Sequence, residues 1–182
     1  MRHPNRDELE RRWTSCAPSP IETGSVELVV RRPEEGQREV LEHGFLDPVE
    51  GLVGDNWQSR GSRATADGSA HPELQLTLMN VRAAEAIAGD RAHWPLAGDQ
   101  LFVDLDLSES SLPPGTRLQV GTAQIEITAP PHTGCDKFVA RFGSAAMAWV
   151  SAPQGRSQRL RGVNARVVVA GAVAPGDRIC KA

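Results

Sequence analysis

From Gly24 onward Val26, Leu28 and Val30 alternate with other residues, and the alternation stops at the polar turn formed by residues 32–36. A period of two is the mark of a strand, so a first strand is predicted there and a second over residues 39–46. Leu74, Leu76 and Leu78 alternate in the same way, after which Asn80 caps a predicted helix over residues 81–88 that Gly89 closes. Leu101, Val103, Leu105 and Leu107 face one way while Asp104 and Asp106 face the other, which predicts a half-buried strand. Residues 118–120 and 123–128 read as a hairpin turning at Gly121-Thr122, residues 165–170 as a buried strand, and Pro175-Gly176-Asp177 opens a last one. Short helices are predicted over residues 7–13, over 138–142, and over 145–150 behind Ser144. About eight short strands with two or three short helices inserted predict a mainly β chain folded as a mostly antiparallel barrel. A doubly wound sheet would need longer helices between its strands.

The chain has 182 residues, enough for one domain with a substantial core. Residues 1–23 mix charges, Ser and Pro and are read as an N-terminal arm, with the domain proper at residues 24–182. With 40% hydrophobic and 24% charged residues, the chain has neither a disordered nor a membranous composition. No apolar run reaches the roughly 18 residues a spanning helix needs, and the first residues lack an apolar signal core, so no membrane contact and a cytoplasmic location are expected. Cys16, Cys135 and Cys180 are an odd and scattered set, which argues against a disulfide framework and a four-thiolate zinc site.

The net charge of −3 is uneven. Between Pro131 and Arg166 six cations stand against one carboxylate, which leaves +5 there and −8 elsewhere. An anionic ligand would be drawn to that segment, although solvated surface arginines explain the same count. Nucleic acid is not an expected partner, because the chain is acidic overall, 4% aromatic and without tyrosine.

Candidate chemistry centres on Pro130-Pro131-His132-Thr133-Gly134-Cys135-Asp136-Lys137-Phe138. Two prolines stop the preceding strand, a glycine frees the backbone, and apolar residues three and four apart follow, so Cys135 is placed at a strand-to-helix corner. The unpaired N–H groups of a first helical turn favour a thiolate there, while neighbouring Asp136 opposes it. His132 and Lys137 are in reach for a Cys/His nucleophile with a second cation. A buried, inert cysteine is the common alternative, and the polar neighbours speak against it. Asp55 in Gly54-Asp55 is a pocket-rim carboxylate or a turn residue bonding its own backbone. Arg161-Gly162-Val163-Asn164 sets a guanidinium and an amide just before a buried strand, suited to a phosphate or a flat heterocycle or to capping nearby carbonyls.

The residues 112–123, 131–138, 161–167 and 175–177, with Gly51-Leu52-Val53-Gly54-Asp55, together resemble the MOSC domain, the family named for the C-terminal domain of molybdenum cofactor sulfurases. The resemblance implies a pyruvate-kinase-barrel-like β-barrel and puts the family's signature cysteine on Cys135. It implies that Cys135 carries sulfur as a persulfide or ligates molybdenum in bound molybdenum cofactor (molybdopterin). His132 and Lys137 would then tune the thiol, and Thr133, Arg141, Arg161, Asn164 and Asp55 would bind cofactor. The chain has no room for a pyridoxal-phosphate desulfurase domain, so a separate cysteine desulfurase or a molybdoenzyme is the implied protein partner. Two alternatives accompany this expectation: a cofactor-dependent reductase of N-hydroxylated compounds, and a non-catalytic ligand-binding or interaction module.

Overall fold

The computed structural model describes residues 2–182. In chain order the elements are α1 (Arg6–Ser15), β1 (Thr23–Arg31), β2 (Glu39–Leu41), β3 (Gly44–Asp47), β4 (Gly51–Leu52), α2 (Trp57–Arg60), β5 (Leu76–Asn80) and α3 (Val81–Ala88). Then come a 3₁₀ segment (Arg91–Ala97), β6 (Leu101–Asp104), β7 (Arg117–Val120), β8 (Ala123–Ile127), α4 (Asp136–Ser151), α5 (Pro153–Ser157), β9 (Val163–Val169), β10 (Gly171–Val173) and β11 (Arg178–Lys181).

Seven strands close a barrel in the order β1, β11, β7, β8, β9, β5, β6, with β6 returning to β1. Every neighbouring pair is antiparallel except β5 and β6, where Leu78 faces Leu101 in parallel register. Parallel neighbours need a crossover, and α3 with the 3₁₀ segment supplies it across one side of the barrel. Asn80 caps α3 as predicted, accepting from the N–H groups of Arg82 and Ala83.

The alternation along the strands is between two cores, not between core and water. Val29, Leu76, Leu78 and Val103 lie inside the barrel, while Leu28, Val30, Met79 and Phe102 pack outside it against the helices. All five residues of β5 are therefore buried. The outer core also takes Leu9 of α1, and Trp13 meets Trp149 edge-on at 6.1 Å. Each fully buried large apolar side chain is worth roughly 1.5–3 kcal/mol.

The single strand predicted over residues 39–46 is two strands. Val40 pairs with Val30 beside the barrel, whereas Phe45 pairs with Ala172 in a separate three-stranded sheet of β10, β3 and β4. The chain has to break at Glu42-His43 because its two halves serve different partners. The helical runs predicted at 138–142 and 145–150 meet in α4 across a kink at Gly143, whose φ of 88° is outside the helical range. Among the described residues no helix is long and apolar enough to cross a membrane.

Candidate functional site

The loop between β8 and α4 is held at both ends. Asn164 at the start of β9 is buried and its Nδ2 donates to the Pro130 carbonyl at 3.0 Å, while the Thr128 N–H donates to the Asn164 carbonyl at 3.0 Å. At the other end Phe138 is buried beneath the Arg161 guanidinium, 5.0 Å above its ring, and meets Phe142 at 5.1 Å with the rings tilted by 53°. Between these anchors Cys135 sits as the N-cap residue of α4, exposed, with its side chain making no capping hydrogen bond.

Behind the loop lies a buried ionic knot. Asp99 has no exposed side-chain surface and accepts from Arg161 Nη1 at 2.7 Å. His132 Nδ1 lies 3.3 Å from Asp99 Oδ1, outside hydrogen-bond geometry, and both atoms are buried without a hydrogen-bond partner. Burial, then the charge of Arg161, push the His132 pKa down to about 3, with Asp99 opposing. His132 is neutral at physiological pH and acts as a packed wall, with no hydrogen bond to Cys135.

The 3₁₀ segment ends beside this knot, where the Pro95 carbonyl already accepts the capping Gly98 N–H at 3.1 Å. Four arginines from four parts of the chain take four successive carbonyls. Arg38 Nε donates to Pro95 at 3.1 Å and Arg141 Nη1 to Leu96 at 2.8 Å; Arg161 Nη2 donates to Ala97 at 3.0 Å and Arg32 Nη1 to Gly98 at 2.9 Å. Cationic side chains are favoured at a helical C-terminus. The repulsion among them is only partly answered. Asp55, whose side chain has no exposed surface, grips Arg32 through both oxygens at 2.8 Å and also accepts the Arg32 and Trp57 N–H groups. Burial first, then the charges of Arg141 and Arg32, lower the pKa of Arg38. Arg60 at the end of α2 is lowered by burial and Arg32 and raised by Asp55 and Cys135, which puts the Cys135 sulfur within electrostatic reach of its guanidinium. Five guanidiniums thus share two carboxylates, Asp55 and Asp99, beside an exposed thiol.

Of the residues singled out in the sequence, Cys135, Arg141 and Arg161 come together here. Lys137 is exposed and spends its charge on Glu35 in the turn after β1. Thr133 is exposed, and with Asn164 and Arg161 it lines a cavity that Cys135 does not line. Asp55 is tied to Arg32 and offers no free carboxylate at a rim. Sequence reading missed Arg32, Arg38, Arg60 and Asp99. Three of these arginines come from the part of the chain that carries net negative charge, so the segmental count pointed away from them. Gly54-Asp55 was the one local signal, a carboxylate awaiting a distant cation.

Gly162 bears on the same corner. Its φ is 106°, and a Cβ there would lie 2.2 Å from the Leu78 carbonyl oxygen and 3.2 Å from His132 Nδ1. Gly162→Ala is expected to cost about 3 kcal/mol, through a backbone clash plus positive-φ strain, read as a lower urea midpoint with an unchanged slope.

Among the described residues no group of three or more His, Cys, Asp and Glu side chains is arranged to hold a metal ion. A metal at Cys135 would have this thiolate as its protein ligand and draw its others from a bound group.

Comparison with known proteins places the chain. No curated protein matches it. Among solved structures, the YuaD protein of Bacillus subtilis superposes with a TM-score of 0.65 at 18% identity, over 86% of this chain and 94% of that one. YiiM of Escherichia coli superposes with a TM-score of 0.56 at 18% identity, over 87% and 69%, and YiiM of Geobacillus stearothermophilus with 0.54 at 14%, over 91% and 75%. Identities at this level carry the fold alone. The family profile described as the MOSC domain matches residues 68–180, more than half of the chain including the whole Cys135 corner, and the protein therefore belongs to the MOSC domain family.

Proposed function

We propose that the protein binds molybdenum cofactor, with the Cys135 thiolate as its ligand to the metal and the arginine cluster holding the anionic part. The observation that carries this reading is the surplus of guanidinium charge beside an exposed thiol: Arg38 is crowded by the charges of Arg141, Arg32 and Arg60, with Asp55 as the carboxylate that opposes them. Such a cluster gains stability from a bound anion, and planar guanidiniums suit a phosphate. Arg38 and Arg141 would orient the phosphate and Arg60 would neutralise charge near the sulfur. The neutral His132 and the Asp99–Arg161 pair would keep the loop in place. When bound, the cofactor supplies a metal centre able to exchange oxygen or sulfur atoms and electrons.

Molybdenum and pterin are to be measured in protein purified from a cofactor-competent host. Cys135→Ser is expected to lower molybdenum content about tenfold or more, and Arg60→Glu to lower molybdenum and pterin together by a similar factor. Equal molybdenum in wild type and Cys135→Ser would remove the ligand role.

The exposure of Cys135 supports a second reading, sulfur carriage. The Cys135 thiolate would attack the terminal sulfur of a cysteine desulfurase persulfide, forming the new S–S bond as the desulfurase thiolate leaves. Intact mass after incubation with a desulfurase and cysteine separates the readings: a carrier gains one sulfur atom that Cys135→Ser does not.

A further inference from the structure

Beside the thiol, and sharing Arg161 alone with the arginine cluster, lies a cavity of about 340 Å³ between the loop at residues 128–134, the end of α4 with α5, and the start of β9. The volume is in the range of small-molecule sites. Thr133 and Gly134 line it and Cys135 does not, so a ligand there would adjoin the thiol without displacing anything held by Arg38 and Arg60. Its apolar wall is built from Pro130, Pro131, Val150 and Val163, and Gly155 and Gly162 add backbone surface without side chains.

Arginines at the rim give the cavity a charge preference. Arg156 is exposed at its edge and has no carboxylate within ion-pair distance among the described residues. Arg159 donates through Nη1 to the Leu112 carbonyl at 2.6 Å, which fixes the side chain, while burial lowers its pKa; a partly desolvated cation gains from an anionic neighbour. Arg161, 7% exposed, also lines the cavity, and its Nε is buried without a hydrogen-bond partner. Glu109 lines the cavity too and its charge acts on Arg159, while Arg161 is paired with Asp99, so the positive charge left without a carboxylate is that of Arg156. Aromatic rings stack on guanidinium faces and bring large contact area at little entropy cost, and rigid proline and valine walls accept them.

From this geometry we infer that the cavity is a binding site for a small aromatic carboxylic acid, its ring against the Pro130, Pro131 and Val163 wall and its carboxylate toward Arg156 and Arg159. The inference goes beyond the cofactor reading and does not depend on it.

The test is an NMR titration of the folded protein with sodium benzoate, benzamide and sodium phosphate, following the backbone amides of Thr133, Gly155 and Asn164 beside those of Arg60 and Cys135. Benzoate is expected to shift the first three saturably, with benzamide at least about tenfold weaker because it lacks the charge. Phosphate alone is expected not to saturate them. Arg156→Glu, on an exposed side chain that makes no hydrogen bond or ion pair among the described residues, is expected to weaken benzoate about tenfold or more with the fold unchanged. The inference is overturned if benzoate gives no saturable shift at these amides, if benzamide binds as well, or if Arg156→Glu leaves affinity unchanged. A protein blind to benzoate whose molybdenum content still falls in Cys135→Ser overturns the cavity assignment alone.

Discussion

Asp99→Ala is expected to remove about 3–5 kcal/mol of stability, a large part of what holds a domain of this size together. The side chain has no exposed surface, and Arg161, 8% exposed at its side chain, would keep its charge while losing its 2.7 Å partner. What remains to that guanidinium is the Ala97 carbonyl and the face of Phe138. Neither offsets a desolvated charge. Arg161 also sits over the first turn of α4, so the loop bearing Cys135 loses its inner support together with the ion pair. Urea unfolding followed by circular dichroism measures the effect. A loss under about 1 kcal/mol would mean that water reaches the pair and that it contributes as little as surface bridges do.

The second large effect is on pH dependence. The folded pKa of His132 is about 3, below the ordinary 6.5, so the unfolded chain takes up a proton that the folded chain refuses. The corresponding stability is fully present above pH 6.5 and is lost as pH falls from 6.5 toward 3, at about 1.4 kcal/mol per pH unit and about 5 kcal/mol at most. Carboxylates held down by cations, Glu8 and Glu126 among them, lose stability over an overlapping acidic range. The measurement is therefore a difference: unfolding free energy against pH for wild type and His132→Gln. The curves should converge as pH falls from 6.5 to 4, the variant being flatter; parallel curves would show that His132 titrates normally in the folded protein.

The barrel was legible because its strands are short and alternate, and because Gly and Pro turns separate them. In β8, Ala123, Ile125 and Ile127 are buried while Gln124 and Glu126 are half-buried, as period two requires. The same rule under-read β5 and β6, where the opposite face is covered by helices and alternation sorts residues between two cores. The Cys135 corner was legible too, since prolines, a glycine and an apolar helical run are local signals. The arginine cluster was not. Arg32 and Arg38 stand at the ends of a polar turn and Arg60 just before a stretch rich in Gly and Ser, and in the sequence each reads as an ordinary surface residue. Their meaning comes from chain closure, 66 residues away for Arg32 and Gly98 and 57 for Arg38 and Pro95. Asp99 was hidden for the same reason: Gly98-Asp99 is a common turn, and its burial depends on Arg161 arriving from 62 residues downstream.

The four carbonyls of residues 95–98 are gripped by arginines that precede β2, follow β1, ride on α4 and precede β9. During synthesis the last of these to leave the ribosome is Arg161, and until then Ala97 and Asp99 lack the guanidinium that joins them. An anion site made of these guanidiniums would consequently be coupled to completion of the barrel: a half-assembled chain presents scattered cations, and the finished molecule alone gathers them.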